Sequence, residues 1–210
     1  SLAPSGKVVV PKERSHLLLA DLKLRRMEAK TVSSPATTRW KEAFLPGAMA
    51  PDLLFYDVPS FRFSGTAGKL HTIMKPSRSG SFPEALWAFL STPTGRRNRP
   101  WFLGMAHHFM VDESWHPLVN RYTELRATPC RLLDLKSGDC HLWLESELET
   151  YWLDRLGPAD GYLPWLKALG RREDLRHTVG AAYRELLAAL SIVPSPSAAT
   201  ISACFSRQIR

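Results

Sequence analysis

Along most of the chain apolar residues recur three and four positions apart, the spacing that places them on one face of an α-helix. Arg14 to Ala29 follows it, with Ser15 as a possible N-cap and His16 in the first turn. Trp40 to Leu45 reads as a short helix. Pro46, Gly47 and Pro51 interrupt the residues after it, which puts Asp52 at the end of a bent segment. Asp57 to Gly80 is rich in Gly, Ser and Pro, carries Lys69, His71 and Lys75, and reads as a long loop. Phe82 to Leu90 is predicted helical, and Thr92 to Pro100 is a loop. Trp101 to Leu125 is apolar enough to be the central helix, with Pro117 either kinking or ending it. Cys140 to Leu156, Asp160 to Leu169 and Glu173 to Leu190 are further helices. Ser1 to Pro11 reads as an irregular or extended arm, Thr31 to Thr38 as a loop and Pro194 to Thr200 as a loosely ordered tail. There is no internal repeat and no long alternating stretch. The pattern predicts a mostly α, single-domain helical bundle over residues 1–193, with a flexible C-terminal tail over 194–210.

Composition narrows the partners more than the fold. In 210 residues, 28 basic and 20 acidic side chains leave a formal charge of +8, which favours anionic partners. Arg96, Arg97 and Arg99 form a local basic cluster, either a solvated surface or an attractor for an anionic substrate or lipid head groups. Cys130, Cys140 and Cys204 lack Cys-x-x-Cys spacing, so they read as packed or free thiols rather than as a zinc-thiolate site or a disulfide scaffold. No apolar run reaches the roughly 18 residues that a spanning helix needs. With no signal-peptide core visible, a soluble and cytoplasmic protein is the expectation.

The candidate chemistry sits in the central helix. His108, Asp112 and His116 are four residues apart and share one helix face. Helix rise separates the two histidines by roughly 12 Å and leaves Asp112 about 6 Å from each. One ion cannot serve all three, whereas a carboxylate can bridge, so the ladder predicts a cluster of metals. His141 and Glu145 repeat the four-residue spacing in the next helix. With His16, Asp52 and His71 upstream, the candidate ligands number eight. Imidazole and carboxylate without thiolate suit zinc, and also iron or manganese. His116, His141 and Glu145 alone would leave an open position for water or substrate, as catalytic zinc sites do. His107 lies about 100° off the ladder and reads as a packing residue, and His177 as an ordinary helix histidine.

The run His108-x3-Asp112-x3-His116-Pro117, the upstream Gly47-Ala48-Met49-Ala50-Pro51-Asp52 and the downstream His141-x3-Glu145 resemble the zinc-dependent phospholipase C family. That family shares its mostly helical fold and three-zinc cluster with certain single-strand nucleases. The resemblance covers about His16 to Glu145, in order. It implies that Asp52, His71, His108 and Asp112 surround one zinc. Asp112 would bridge to a second zinc held by His16, and His116, His141 and Glu145 would hold a third. In that family an N-terminal Trp shortly before the first His completes the second site. No Trp precedes His16, so two or three zinc ions are expected.

A zinc cluster accelerates phosphoester hydrolysis by lowering the pKa of bound water towards about 7 and by neutralising phosphoryl charge. The expected activity is a zinc-dependent, phospholipase C-like phosphoesterase in which a zinc-bound hydroxide attacks near Asp112, with Asp52 as ligand and candidate general base. Phe55, Tyr56, Phe61, Phe63 and Trp115 would line a substrate pocket or pack the core. An anionic small molecule or a lipid is the expected substrate, ahead of nucleic acid. From the chain length, a C-terminal membrane-binding β-domain of the kind that some toxic phospholipases carry is not expected. Three alternatives stay open: hydrolysis of non-phosphorus esters or amides, a helical two-iron oxidase or oxygenase, and a non-catalytic zinc-stabilised binding protein.

Overall fold

The computed structural model describes residues 12–28, 35–58, 60–74, 84–125, 128–156 and 172–208. The described residues are helical, with no strand among them. The order is α1 (Lys12–Glu28), α2 (Pro35–Met49), a 3-10 helix η1 (Ala50–Tyr56), α3 (Ser64–Ile73), α4 (Glu84–Leu90), α5 (Pro93–Arg97), α6 (Arg99–Glu124), α7 (Thr128–Leu132), α8 (Ser137–Leu156), α9 (Glu173–Ala189) and α10 (Ala198–Gln208). No described helix is long and apolar enough to cross a membrane.

α6 is the central element. Trp101, Phe102, Met105, Ala106 and Phe109 are buried along it, and its largest contact is with α2. Two glycines set that contact. A Cβ at Gly47 would lie 2.0 Å from the Trp101 carbonyl oxygen, and one at Gly104 would lie 2.1 Å from that of Phe44. Without Cβ atoms the two backbones approach directly, which brings Ala48 beside His108.

Several expected interruptions are helical instead. α2 begins at Pro35 and runs through Pro46 and Gly47 to Met49. An interior proline costs about 3 kcal/mol. Burial of Phe44, Leu45 and Met49, each worth roughly 1.5–3 kcal/mol, outweighs it. α6 likewise continues past Pro117 to Glu124. The expected loop at 57–80 contains α3, because Ala67 and Leu70 are buried and Thr66 Oγ1 and Lys69 Nζ donate to the carbonyls of Pro194 and Val193. Thr92 caps α5 inside the expected loop at 92–100, its hydroxyl accepting from the Gly95 N–H at 3.0 Å. Ser15 lies inside α1 rather than at its cap. The helices expected at Phe82–Leu90, Trp101–Leu125, Cys140–Leu156 and Glu173–Leu190 are present with shifted ends. The arm at 1–11 and the helix expected at 160–169 lie outside the described residues.

The largest correction is at the C-terminus. Residues 198–208, expected as a flexible tail, form α10, which buries Ile201, Cys204 and Phe205 in the core. Gln208 Nε2 donates to the Met49 carbonyl at 2.8 Å, and Arg207 donates to that of Tyr56 at 3.3 Å, so α10 braces both ends of η1. The Ser/Pro/Ala composition hid three apolar residues at helical spacing.

The cysteines also differ from expectation. Cys130 and Cys140 form a disulfide, with α7 and the start of α8 bringing their Cα atoms to 5.5 Å. Cys204 is a buried free thiol. Burial and the nearby Asp57 carboxylate push it up to about 11. Folded protein at pH 8 is therefore expected to react with iodoacetamide at Cys204 at least about a hundredfold more slowly than unfolded protein. Mass spectrometry over a time course checks this, and equal rates would place Cys204 at the surface.

Candidate metal centre

Four elements converge on α6. α1 carries His16, η1 carries Asp52, α3 carries His71, and α8 carries His141 and Glu145. Their ligand atoms form three adjoining groups, each within 4.8 Å internally: Asp52, His71 and His108; His16, His108 and Asp112; His116, His141 and Glu145.

Asp112 joins the groups through its two oxygens. Its Oδ2 lies 3.3 Å from His108 Nε2 and 3.8 Å from His71 Nε2, while Asp52 Oδ1 lies 3.2 Å from His71 Nε2 and 3.8 Å from His108 Nε2. Its Oδ1 lies 3.2 Å from His16 Nε2 and 3.9 Å from His116 Nε2. Beyond it, Glu145 Oε1 is 3.3 Å from His116 Nε2 and 3.1 Å from His141 Nε2. Ligands about 2.0–2.1 Å from a tetrahedral ion stand roughly 3.3 Å apart. The five spacings of 3.1–3.3 Å fit that figure, and the other three are longer, at 3.8–3.9 Å.

The histidine tautomers sharpen the test. His108 Nδ1 bonds the Ala48 carbonyl at 2.9 Å, and His71 Nδ1 bonds the Ala67 carbonyl at 2.8 Å. Only an N–H can meet a carbonyl, so in the neutral rings both Nε2 lone pairs face carboxylates. Acceptor facing acceptor repels unless a cation or a proton lies between them. Among the described residues, the buried His71 Nε2 and His116 Nε2 have no hydrogen-bond partner. A proton on every imidazole is the competing solution, and at His16 burial works against it. Desolvation first, and then the neighbouring His108, push His16 down to about 4, leaving the neutral form that binds metal. Burial opposes ionisation of Asp112, but the neighbouring His108 and His16 outweigh it and hold the carboxyl well below its usual range. The donor set therefore fits a metal ion.

Exposure grades across the centre. Asp52 and His108 are fully buried, whereas the His116 and His141 side chains are 32% and 28% exposed. The third group is the end that a solute can reach. His16 stacks on His108 with ring centroids 3.8 Å apart, and its Nδ1 has no hydrogen-bond partner among the described residues.

Other sequence candidates fall around this centre unevenly. Phe55 places its half-buried ring 5.9 Å from His71, and Tyr56 packs against the core. Phe63 is in the core, with the Arg62 guanidinium over its ring, and Phe61 is exposed. Trp115 stacks on Trp152 at 6.0 Å, next in sequence to His116. His107 meets Phe44 edge-on at 5.8 Å, and His177 is at the surface beside Glu173. Arg97 lines a separate pocket of about 240 Å³ with Trp40 and Trp101, which contains none of the eight ligands.

Two supports escaped sequence reasoning, and a third, Glu149, reads from the sequence either as a surface group or as a partner of the ligand residues. The Ala48 and Ala67 carbonyls orient His108 and His71, and main-chain groups leave no side-chain signature. Glu149 is buried and accepts from the Ser15 N–H at 3.2 Å, tying α8 to α1 beside His16. Its position four residues after Glu145, on the same helix face, was the available signal. No protein-family model matches the chain, and no curated protein or solved structure matches it.

Proposed function

We propose that this chain is a zinc-dependent hydrolase that cleaves a phosphoester of an anionic small molecule or lipid. The observation that carries the reading is the division of Asp112 between two ligand groups, with a third, more exposed group alongside. When bound, zinc supplies acidified water and positive charge against phosphoryl oxygens.

The protein residues have distinct parts in this reading. Asp112 would be the shared ligand, with Oδ1 toward His16 and Oδ2 toward His71 and His108. Asp52, fully buried beneath His71 and His108, holds charge at the closed end. That position favours a ligand role over the general-base role. His116 and His141, partly exposed beside the buried Glu145, define where a phosphoryl group enters. Phe55 and the Trp115–Trp152 pair flank the centre and offer apolar surface to the rest of a substrate. Five imidazoles against three carboxylates set the centre apart from carboxylate-rich two-iron sites.

An anomalous-scattering map at the zinc edge is expected to show two or three ions within about 6 Å of Asp112. One isolated ion, or none, would defeat the proposal. The loaded protein is expected to hydrolyse a chromogenic phosphodiester or phosphomonoester, to stop on chelation and to recover with zinc. Bound ions with neither activity would favour the zinc-stabilised binding protein.

A further inference from the structure

We propose that the Cys130–Cys140 disulfide positions His141 and so sets how tightly the His116, His141 and Glu145 group holds its ion. The inference rests on the metal reading above.

His141 lacks the anchor that two other imidazoles of the centre have. His71 and His108 are each held by a backbone carbonyl at Nδ1. Among the described residues, His141 has one hydrogen-bond contact, from Nε2 to Glu145 Oε1, an atom that is itself a ligand candidate. Its ring position therefore depends on the backbone of the first turns of α8. Helix starts lack half of their backbone hydrogen bonds and open locally at little free energy. α8 begins at Ser137, and the Cys140 N–H bonds the Lys136 carbonyl at 2.8 Å just before His141.

The disulfide acts on the residue next to the ligand. It joins Cys140 to Cys130 in α7, across a sequence separation of 10, and both cysteines are buried. Apolar packing does little to hold α7, since Leu132 and Leu133 are 80% and 58% exposed. The covalent link ties α7 to the first turn of α8. Since α7 follows the end of α6, which carries His116, the link also bounds how far the two helices can separate around the exposed ligand group.

The test is a Cys130→Ser/Cys140→Ser variant of the full chain, titrated with zinc against a competing chelator. Anomalous occupancies at the three groups assign each affinity. The expected result is a loss of about 10–100-fold in affinity at the His116, His141 and Glu145 group alone, with the far-UV circular dichroism and the Asp112 ions unchanged. Unchanged affinity there, or equal weakening of all groups, overturns the inference and leaves the metal reading standing. A parent protein that takes up no ion defeats the metal reading itself. Where the double variant loses its helical spectrum, native protein reduced with a phosphine and alkylated supplies the same comparison.

Discussion

Asp112→Asn is expected to lower phosphoester hydrolysis by about a hundredfold or more and to leave at most one zinc ion per chain. The substitution keeps the shape of the side chain. It removes the negative charge and replaces one ligand oxygen with an amide nitrogen, which has no lone pair for a metal. Because Oδ1 faces His16 and Oδ2 faces His71 and His108, either orientation of the amide spoils one of two groups and weakens the other. Only His116, His141 and Glu145 keep a full set of ligands. His177→Ala is the control: the side chain is 71% exposed and, among the described residues, pairs with Glu173 on the same helix, so activity should stay within about twofold. Metal analysis and initial rates on both variants decide the matter. Equal effects, or an unchanged zinc content in Asp112→Asn, would contradict the bridging role.

Gly104→Ala is expected to destabilise the protein by about 2 kcal/mol or more, against the usual sign for this change in a helix. Helix propensity alone would favour alanine by about 1 kcal/mol. The new Cβ, however, would meet the Phe44 oxygen at 2.1 Å, the Ala48 nitrogen at 2.8 Å and the Gly47 carbonyl carbon at 2.9 Å. All three are backbone atoms of α2, so no rotamer change relieves the contact and the helices must part. Overpacking of this kind costs typically 1–3 kcal/mol and sometimes more. For a chain of this size a net loss of 2 kcal/mol lowers Tm by roughly 4–8 °C. Separation of the helices also draws the Ala48 carbonyl away from His108 Nδ1, and zinc affinity should fall by about tenfold with it. Gly65→Ala, whose Cβ meets nothing within 4 Å, provides the contrast and is expected to be neutral or slightly stabilising. A Gly104→Ala protein as stable as its parent would rule out the close approach of α2 and α6.

The two variants mark where the sequence was legible. Helix periodicity alone placed His108, Asp112 and His116 on one face and kept the two histidines too far apart for a single ion, because rise per residue is a property of the backbone and needs no partner. His141 and Glu145 were readable for the same reason. His71 was a candidate, but the helix that carries it was not legible: Gly65, Gly68 and the surrounding serines lowered the local propensity, and α3 is held by contacts to Val193 and Pro194 more than 120 positions away. α10 was hidden likewise, since its three buried apolar residues have value only against a core assembled from other helices.

By itself, then, the sequence determined the helical class, the central helix and the chemical type of the candidate ligands, all of which rest on local backbone geometry and side-chain chemistry. The tertiary structure alone decided how closely Asp52 meets His71 and His108 and His16 meets Asp112, that backbone carbonyls aim His71 and His108, and that Cys130 meets Cys140. Those contacts join positions distant along the chain, and their geometry is set by how closely helices pack. At the centre of the fold that distance depends on two hydrogen atoms, where Gly47 and Gly104 stand in place of any larger side chain.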